Sequence, residues 1–191
     1  GTLTIMFQAP TLNLLLILPW LLVVGTAVLL MLLDLVVQRK NKTWIAWISL
    51  VGITLAFIQT IGLWGVNRGT FTPEGGAPMV MVDNYSLFII AIILLTAFMS
   101  VLISLDYLRK VDLERGEYYY LMLFSVSGMM LMAMANDLIL IFLALELLSI
   151  PLYVLSGFAL PRVDSEESAL KYFLLGAFAS GFLVFGIAMV Y

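Results

Sequence analysis

Long apolar runs alternate with short polar breaks along the whole chain, and the length of the runs carries the first conclusion. A bilayer core about 30 Å thick is crossed by a helix of about 20 apolar residues. Six runs reach or approach that length: 12–37, 44–66, 85–108, 118–135, 138–160 and 168–191. The pattern therefore predicts an all-α integral membrane protein with six transmembrane helices. The first run is long enough to tilt, or to bend at Pro19. Trp44, Trp47, Trp64, Tyr85, Tyr107 and Tyr118–Tyr120 stand near run ends, where amphipathic aromatic rings favour the headgroup level.

The breaks carry turn chemistry. Asn136-Asp137 predicts a tight turn between the fourth and fifth helices, with Asp137 capping the fifth. Pro161 should end that helix, because the residue before a proline avoids the α region. Asp164 with Glu167 predicts a capping box opening the sixth. In the one long break, TFTPEGGAPMVMVD (70–83), PEGGAP is a turn signal and the alternation of Met79–Val82 predicts a small β-hairpin. Arg39, Lys40, Lys42, Arg109, Lys110, Arg115 and Arg162 all fall in the first, third and fifth breaks, against Arg68 alone on the other side. Basic residues collect on the cytoplasmic side of membrane proteins. The asymmetry puts the N-terminus and the 70–83 loop outside.

Composition agrees and removes several functions. Of the 191 residues, 63% are hydrophobic and 11% charged, with a mean hydropathy of +1.13; a soluble domain is about half apolar and a quarter charged. There is no cysteine and no histidine. That excludes disulfides, cysteine-held iron–sulfur clusters and the usual haem and zinc ligands. No glycine-rich phosphate-binding motif occurs, and no nucleic-acid partner is expected. The chain itself is expected to hold no cofactor. It begins with Gly1 and stops at Tyr191 inside an apolar run, so it reads as part of a longer protein. No basic segment precedes the first run as in a cleavable signal.

Against this background Glu146 stands out. In NDLILIFLALELLSIPLYV (136–154) it has only apolar neighbours back to Asp137. An acid at that depth costs roughly 2.5 kcal/mol or more to insert, so such residues face a bundle interior or water. Glu146, Ser149, Tyr153 and Gly157 share one helical stripe. Pro151 has no N–H for the carbonyl of Leu147, which leaves an acceptor free beside the acid. Two readings stand: a structural acid hydrogen-bonded to a neighbouring helix, or a site that takes up and releases a proton. Lys171 lies just inside the sixth run, with Glu167 four residues earlier in the favourable order for a surface pair. Counted from Leu160, Glu146 is ~21 Å deep and Lys171 ~8 Å from the same face at 1.5 Å per residue. That gap predicts no direct pair between them. Asp34 is expected to pair with Arg39, and Asp106 with Arg109 or Lys110, at the inner surface. Five methionines in the fourth run (Met122, Met129, Met130, Met132, Met134) suggest adaptable packing. Ala177, Ser180, Gly181 and Gly186 suggest a close helix contact on the sixth.

NDLILIFLALELLSIPLYVLSGF (136–158) followed by SALKYFLLGAFASGFLVFGIAMVY (168–191) resembles the N subunit of respiratory complex I, the bacterial counterpart of mitochondrial subunit 2. LLDL (32–35) and VDNYSLF (82–88) fall where that family has similar text. The resemblance implies a longer antiporter-like bundle of two inverted repeats with broken helices, of which this chain supplies the opening spans. It implies that Glu146 is the acid, and Lys171 the lysine early in the sixth helix, of a charged proton pathway. It also implies partners: the other membrane subunits of a proton-pumping NADH:quinone oxidoreductase, the lipid bilayer, the quinone that the complex uses, and peripheral subunits carrying FMN and iron–sulfur clusters. The implied location is the bacterial inner membrane rather than a mitochondrial or thylakoid one. Two alternatives stay open: a subunit of an Mrp-type cation/proton antiporter or membrane-bound hydrogenase, and a passive helical scaffold.

Overall fold

Each apolar run becomes a helix whose ends are set by local cap and turn chemistry. The computed structural model describes residues 12–37, 42–73, 76–113, 115–159 and 162–191. Among them are α1 (Leu18–Val36), α2 (Thr43–Gly62), α3 (Asn84–Lys110), α4 (Gly116–Met134), α5 (Leu138–Ser156) and α6 (Val163–Val190). A two-stranded hairpin, β1 (Arg68–Thr70) and β2 (Val80–Val82), joins α2 to α3. Pro161, Arg39 and Lys40, singled out above, lie outside the described residues.

Several boundaries differ from the expectation for identifiable reasons. α1 starts at Leu18 with Pro19 in its first turn. Proline is tolerated there because the first N–H groups have no intrahelical acceptor, so Pro19 opens the helix and does not bend it. α3 begins with a capping box that the sequence reading passed over: Asp83 accepts from the Ser86 N–H at 2.7 Å, and Ser86 Oγ accepts from the Asp83 N–H at 3.0 Å. α5 is capped as expected, with Asp137 Oδ1 accepting from the Ile139 N–H at 2.9 Å. α6 is not opened by Asp164, which lies inside its first turn; its N-cap, Arg162, makes no side-chain cap. Ser165 works instead, its hydroxyl donating to the Ser156 carbonyl at 3.0 Å and tying α6 back to the end of α5.

The helices form a graded assembly. α4 is the hub, packed against α1, α2, α3 and α5. Five helices are long and apolar enough to cross a membrane by composition; α4, with Glu117 and three tyrosines in its first turns and serines in its middle, falls short. Three of its polar side chains face protein: Tyr119, Ser125 and Ser127 are buried. Tyr119 is thus a core residue and not part of the interfacial belt, whereas Trp47, Trp64, Tyr85 and Tyr107 are more than half exposed. Met130, Leu30, Ile45 and Leu94 are each fully buried in the core shared by α1 to α4. α5 contributes only Ala144 and Pro151 to the buried set, and α6 contributes nothing. Among the described elements, α6 packs on α5 alone.

The hairpin forms where the alternation predicted it, with Arg68 opposite Val82 and Thr70 opposite Val80. It also grips the turn between α4 and α5. Val80 bridges to Ala135, the Asn136 N–H donates to the Met79 carbonyl at 2.8 Å, and its side-chain amide donates to the Pro78 carbonyl at 2.9 Å. At the opposite end, where the basic residues gather, Asp34 pairs with Lys42 across the α1–α2 turn at 2.5 Å. The pairing expected between Asp34 and Arg39 lies outside the described residues. The guanidinium of Arg109 donates to Thr43 at 3.2 Å. Asp106 is exposed and forms no ion pair with a described residue, contrary to expectation.

Candidate functional site

The stripe of Glu146, Ser149, Tyr153 and Gly157 is half-buried, and the seam between α5 and α6 runs along it. Tyr153 meets Tyr172 edge-on at 4.9 Å and Phe173 at 5.7 Å between ring centroids. Its phenol lies over Gly176, so close that a Cβ there would stand 1.9 Å from the hydroxyl oxygen. Gly157 faces Ala169, with 2.8 Å for an added Cβ. On α6 the half-buried positions are Ser165, Ala169, Gly176, Ser180, Leu183 and Ile187, which share one face at helical spacing. The small-residue contact expected at Ala177, Gly181 and Gly186 is therefore displaced. Those three are exposed, and an added Cβ at either glycine would meet nothing within 4 Å.

Glu146 sits at the middle of the seam. Its Oε1 accepts a hydrogen bond from Ser180 Oγ at 2.5 Å, within the range of a hydroxyl bound to an ionised carboxylate. The acid is half-buried, not enclosed as the sequence suggested, because α6 covers it on one side only. No charged side chain among the described residues is fully buried. Ser180 was counted in the sequence only as a small residue. The signal that could have singled it out is plain afterwards: it is the one polar side chain between Tyr172 and Tyr191.

α4 closes the other side of α5. Pro151 is buried inside a helix that continues through it to Ser156. One turn earlier, α4 approaches by means of Gly128: a Cβ there would lie 2.3 Å from the Leu148 nitrogen and 2.8 Å from the Leu147 carbonyl carbon. This close contact of backbones thus falls where proline has removed a backbone hydrogen bond, one residue from Glu146.

Lys171 is not brought to Glu146. It forms an ion pair with Glu167 one turn away, with the two side chains 69% and 56% exposed. Nine residues separate Lys171 from Ser180, or ~13 Å along the axis. Each of the two predicted site residues therefore has its own partner, Ser180 for the acid and Glu167 for the lysine. At the far end of α5, the Tyr191 hydroxyl donates to Asp137 Oδ2 at 2.6 Å. That bond, together with the N–H groups of Leu140 and Ile139, holds the Asp137 carboxyl below its ordinary range.

Residues 135–191, which hold this seam, match the family described as NADH:quinone oxidoreductase/Mrp antiporter, transmembrane. The chain is similar to NADH-quinone oxidoreductase subunit N 2 of Roseiflexus castenholzii, 48% identical over 87% of this chain and 32% of the relative. It is similar to NADH-quinone oxidoreductase subunit N of Chloroflexus aggregans, 44% identical over 95% of this chain and 36% of the relative. Among solved structures it resembles a chain of respiratory complex I from Thermus thermophilus, a complex with bound aureothin. The TM-score is 0.72 at 31% identity, over 91% of this chain and 36% of that one. The chain spans about a third of the length of these relatives.

Proposed function

This chain belongs to the N-subunit family of NADH:quinone oxidoreductases, and we propose that within such a complex it works in proton translocation, with no redox chemistry of its own. The observation that carries the proposal is Glu146: an acid midway along a membrane helix, hydrogen-bonded across a helix seam to Ser180, in the stretch that matches the family. An acid in that setting can take up a proton when the positive charge near it weakens and release it when that charge returns. Lys171, nearer the basic end, supplies such charge at a distance, as a relay or field-setting group rather than a direct partner.

The complex, in this reading, lies in a bacterial inner membrane with the chain's N-terminus and hairpin outside. Electrons pass through FMN and iron–sulfur clusters in peripheral subunits to the quinone, and this chain packs among the other membrane subunits. The names of its relatives favour this over an Mrp antiporter or a hydrogenase.

The test is Glu146→Gln in the whole complex, reading protons moved per NADH oxidised in sealed vesicles. Glutamine keeps the shape and can still bond Ser180, so assembly should survive while pumping falls. Pumping at the wild-type ratio by an assembled variant refutes the proposal. One observation favours the passive-scaffold reading: Lys171 forms an exposed pair within its own helix, worth little by itself. Under that reading Lys171→Met and Glu167→Gln cause equal, small losses; under ours Lys171→Met is clearly the more damaging per assembled complex.

A further inference from the structure

Most helix hydroxyls with a described bond donate to a carbonyl three or four residues earlier, and Ser180, like Ser165, departs from that habit. Thr26, Ser49, Thr54, Thr60, Thr96 and Ser100 each donate to the carbonyl four residues earlier, at 2.7 to 2.9 Å. This back-bond is the ordinary solution for a hydroxyl in a helix with no water at hand. Ser180 instead turns to Glu146 Oε1, 34 residues away in sequence, at 2.5 Å. The carbonyl that its own back-bond would use belongs to Gly176.

We infer that Ser180 is a two-position proton-responsive partner of Glu146, a positioning residue that keeps the acid satisfied in both of its protonation states. With Glu146 ionised, the Ser180 O–H donates to the carboxylate across the 2.5 Å contact. When the carboxylate gains a proton, its new O–H donates to Ser180 Oγ, and the Ser180 hydrogen swings to the Gly176 carbonyl. A serine hydroxyl offers one donor and two acceptor positions, so both arrangements leave neither group unpaired. The Glu146 proton comes from and returns to the pathway; Ser180 keeps its own.

Among the described residues of α4, α5 and α6, no second ionisable group lies at this depth to confuse the effect. Along α5 the nearest are Tyr153 and Asp137, seven and nine residues away. Along α6 they are Tyr172 on one side and Tyr191 on the other, with Lys171 beyond Tyr172. On α4, whose Gly128 lies beside Leu147 and Leu148, the nearest is Tyr120, eight residues from that glycine and toward the basic end. At 1.5 Å per residue each of these is ~10 Å or more along its helix.

This inference rests on the proton-carrying reading of Glu146, and its test separates the two. In the assembled complex, infrared difference spectra titrated with pH report the carbonyl band of a protonated carboxylic acid. Glu146→Gln identifies which part of that band belongs to Glu146. Ser180→Ala should shift its midpoint by roughly one unit, from the difference between charged and neutral hydrogen bonds. Ser180→Thr, which restores a hydroxyl, should return the midpoint to within a few tenths of a unit. An unchanged midpoint in Ser180→Ala, or a threonine variant that behaves like alanine, overturns the inference. Wild-type pumping by Glu146→Gln refutes the proton-carrying role while leaving the midpoint comparison to judge Ser180 on its own.

Discussion

Gly128→Ala should loosen the contact between α4 and α5. Alanine is intrinsically the better helix residue by about 1 kcal/mol, so an open helical glycine gains from this change. Gly25 in α1 is such a position, exposed and with nothing within 4 Å of an added Cβ. At Gly128 the added Cβ would stand 2.3 Å from the Leu148 nitrogen and 2.7 Å from its Cα. Ordinary contact begins near 3.4 Å, so the helices must part by about 1 Å. The obstacle is backbone, which no rotamer change can relieve. Overpacking of this size costs about 1–3 kcal/mol, more than the propensity gain offsets. At ~2–4 °C per kcal/mol for a chain of this size, the thermal midpoint should fall by several degrees, read by tryptophan fluorescence of the purified protein in detergent. Gly25→Ala should match or exceed the wild type. Gly176→Ala should do less harm than Gly128→Ala, because there the Cβ meets the far end of the Tyr153 side chain, which can swing aside. If Gly128→Ala is as stable as Gly25→Ala, the close approach of α4 to α5 is wrong.

Lys42→Met should destabilise by roughly 1–3 kcal/mol, since it strands the mostly buried Asp34 carboxylate; Lys42→Met with Asp34→Asn should recover much of the loss, and strict additivity of the two in thermal melts would count against the pair. Asp137→Ala should fray the start of α5 at a cost of about 1 kcal/mol, seen as faster amide exchange at Ile139 and Leu140. The Asp137 carboxyl is held low when folded, so its contribution is present above the ordinary carboxylate range and is lost as pH falls through the lowered value. The same amides should therefore exchange more readily in acid in the wild type and not in the alanine variant, after correction for the intrinsic pH dependence of exchange. A cysteine placed at Ala77 should react with a membrane-impermeant reagent in intact cells, and one at Asp112 should not; the reverse pattern inverts the orientation.

What the sequence made legible is what depends on short spans of chain. The apolar runs, the Asp137 cap, the hairpin and the stripe through Glu146 all follow from spacing, and all are present. What it left illegible depends on distant neighbours. Asp34 and Lys42 meet because α1 and α2 pack side by side, which brings together residues eight apart in the chain. The face of α6 that meets α5 is chosen by Tyr153, whose phenol needs the gap at Gly176; Ala177 and Gly181 lie one residue around the helix and looked equally suited. Ser180 could be placed against Glu146 only once the seam existed.

The grip of the hairpin on Asn136 has a further consequence. A helix of nearly uniform apolarity can slide along its own axis in lipid, for little resists a shift of one or two residues. α5 is such a helix from Leu138 to Leu145. Its vertical register is fixed by Met79 and Pro78, which hold Asn136 from outside the helix. Glu146 hangs ten residues below that point, ~15 Å at the helical rise. The loop between α2 and α3 thus acts as a depth stop for the acid. One residue inserted between Asp137 and Glu146 would lower the carboxyl by only ~1.5 Å but turn it ~100° away from Ser180.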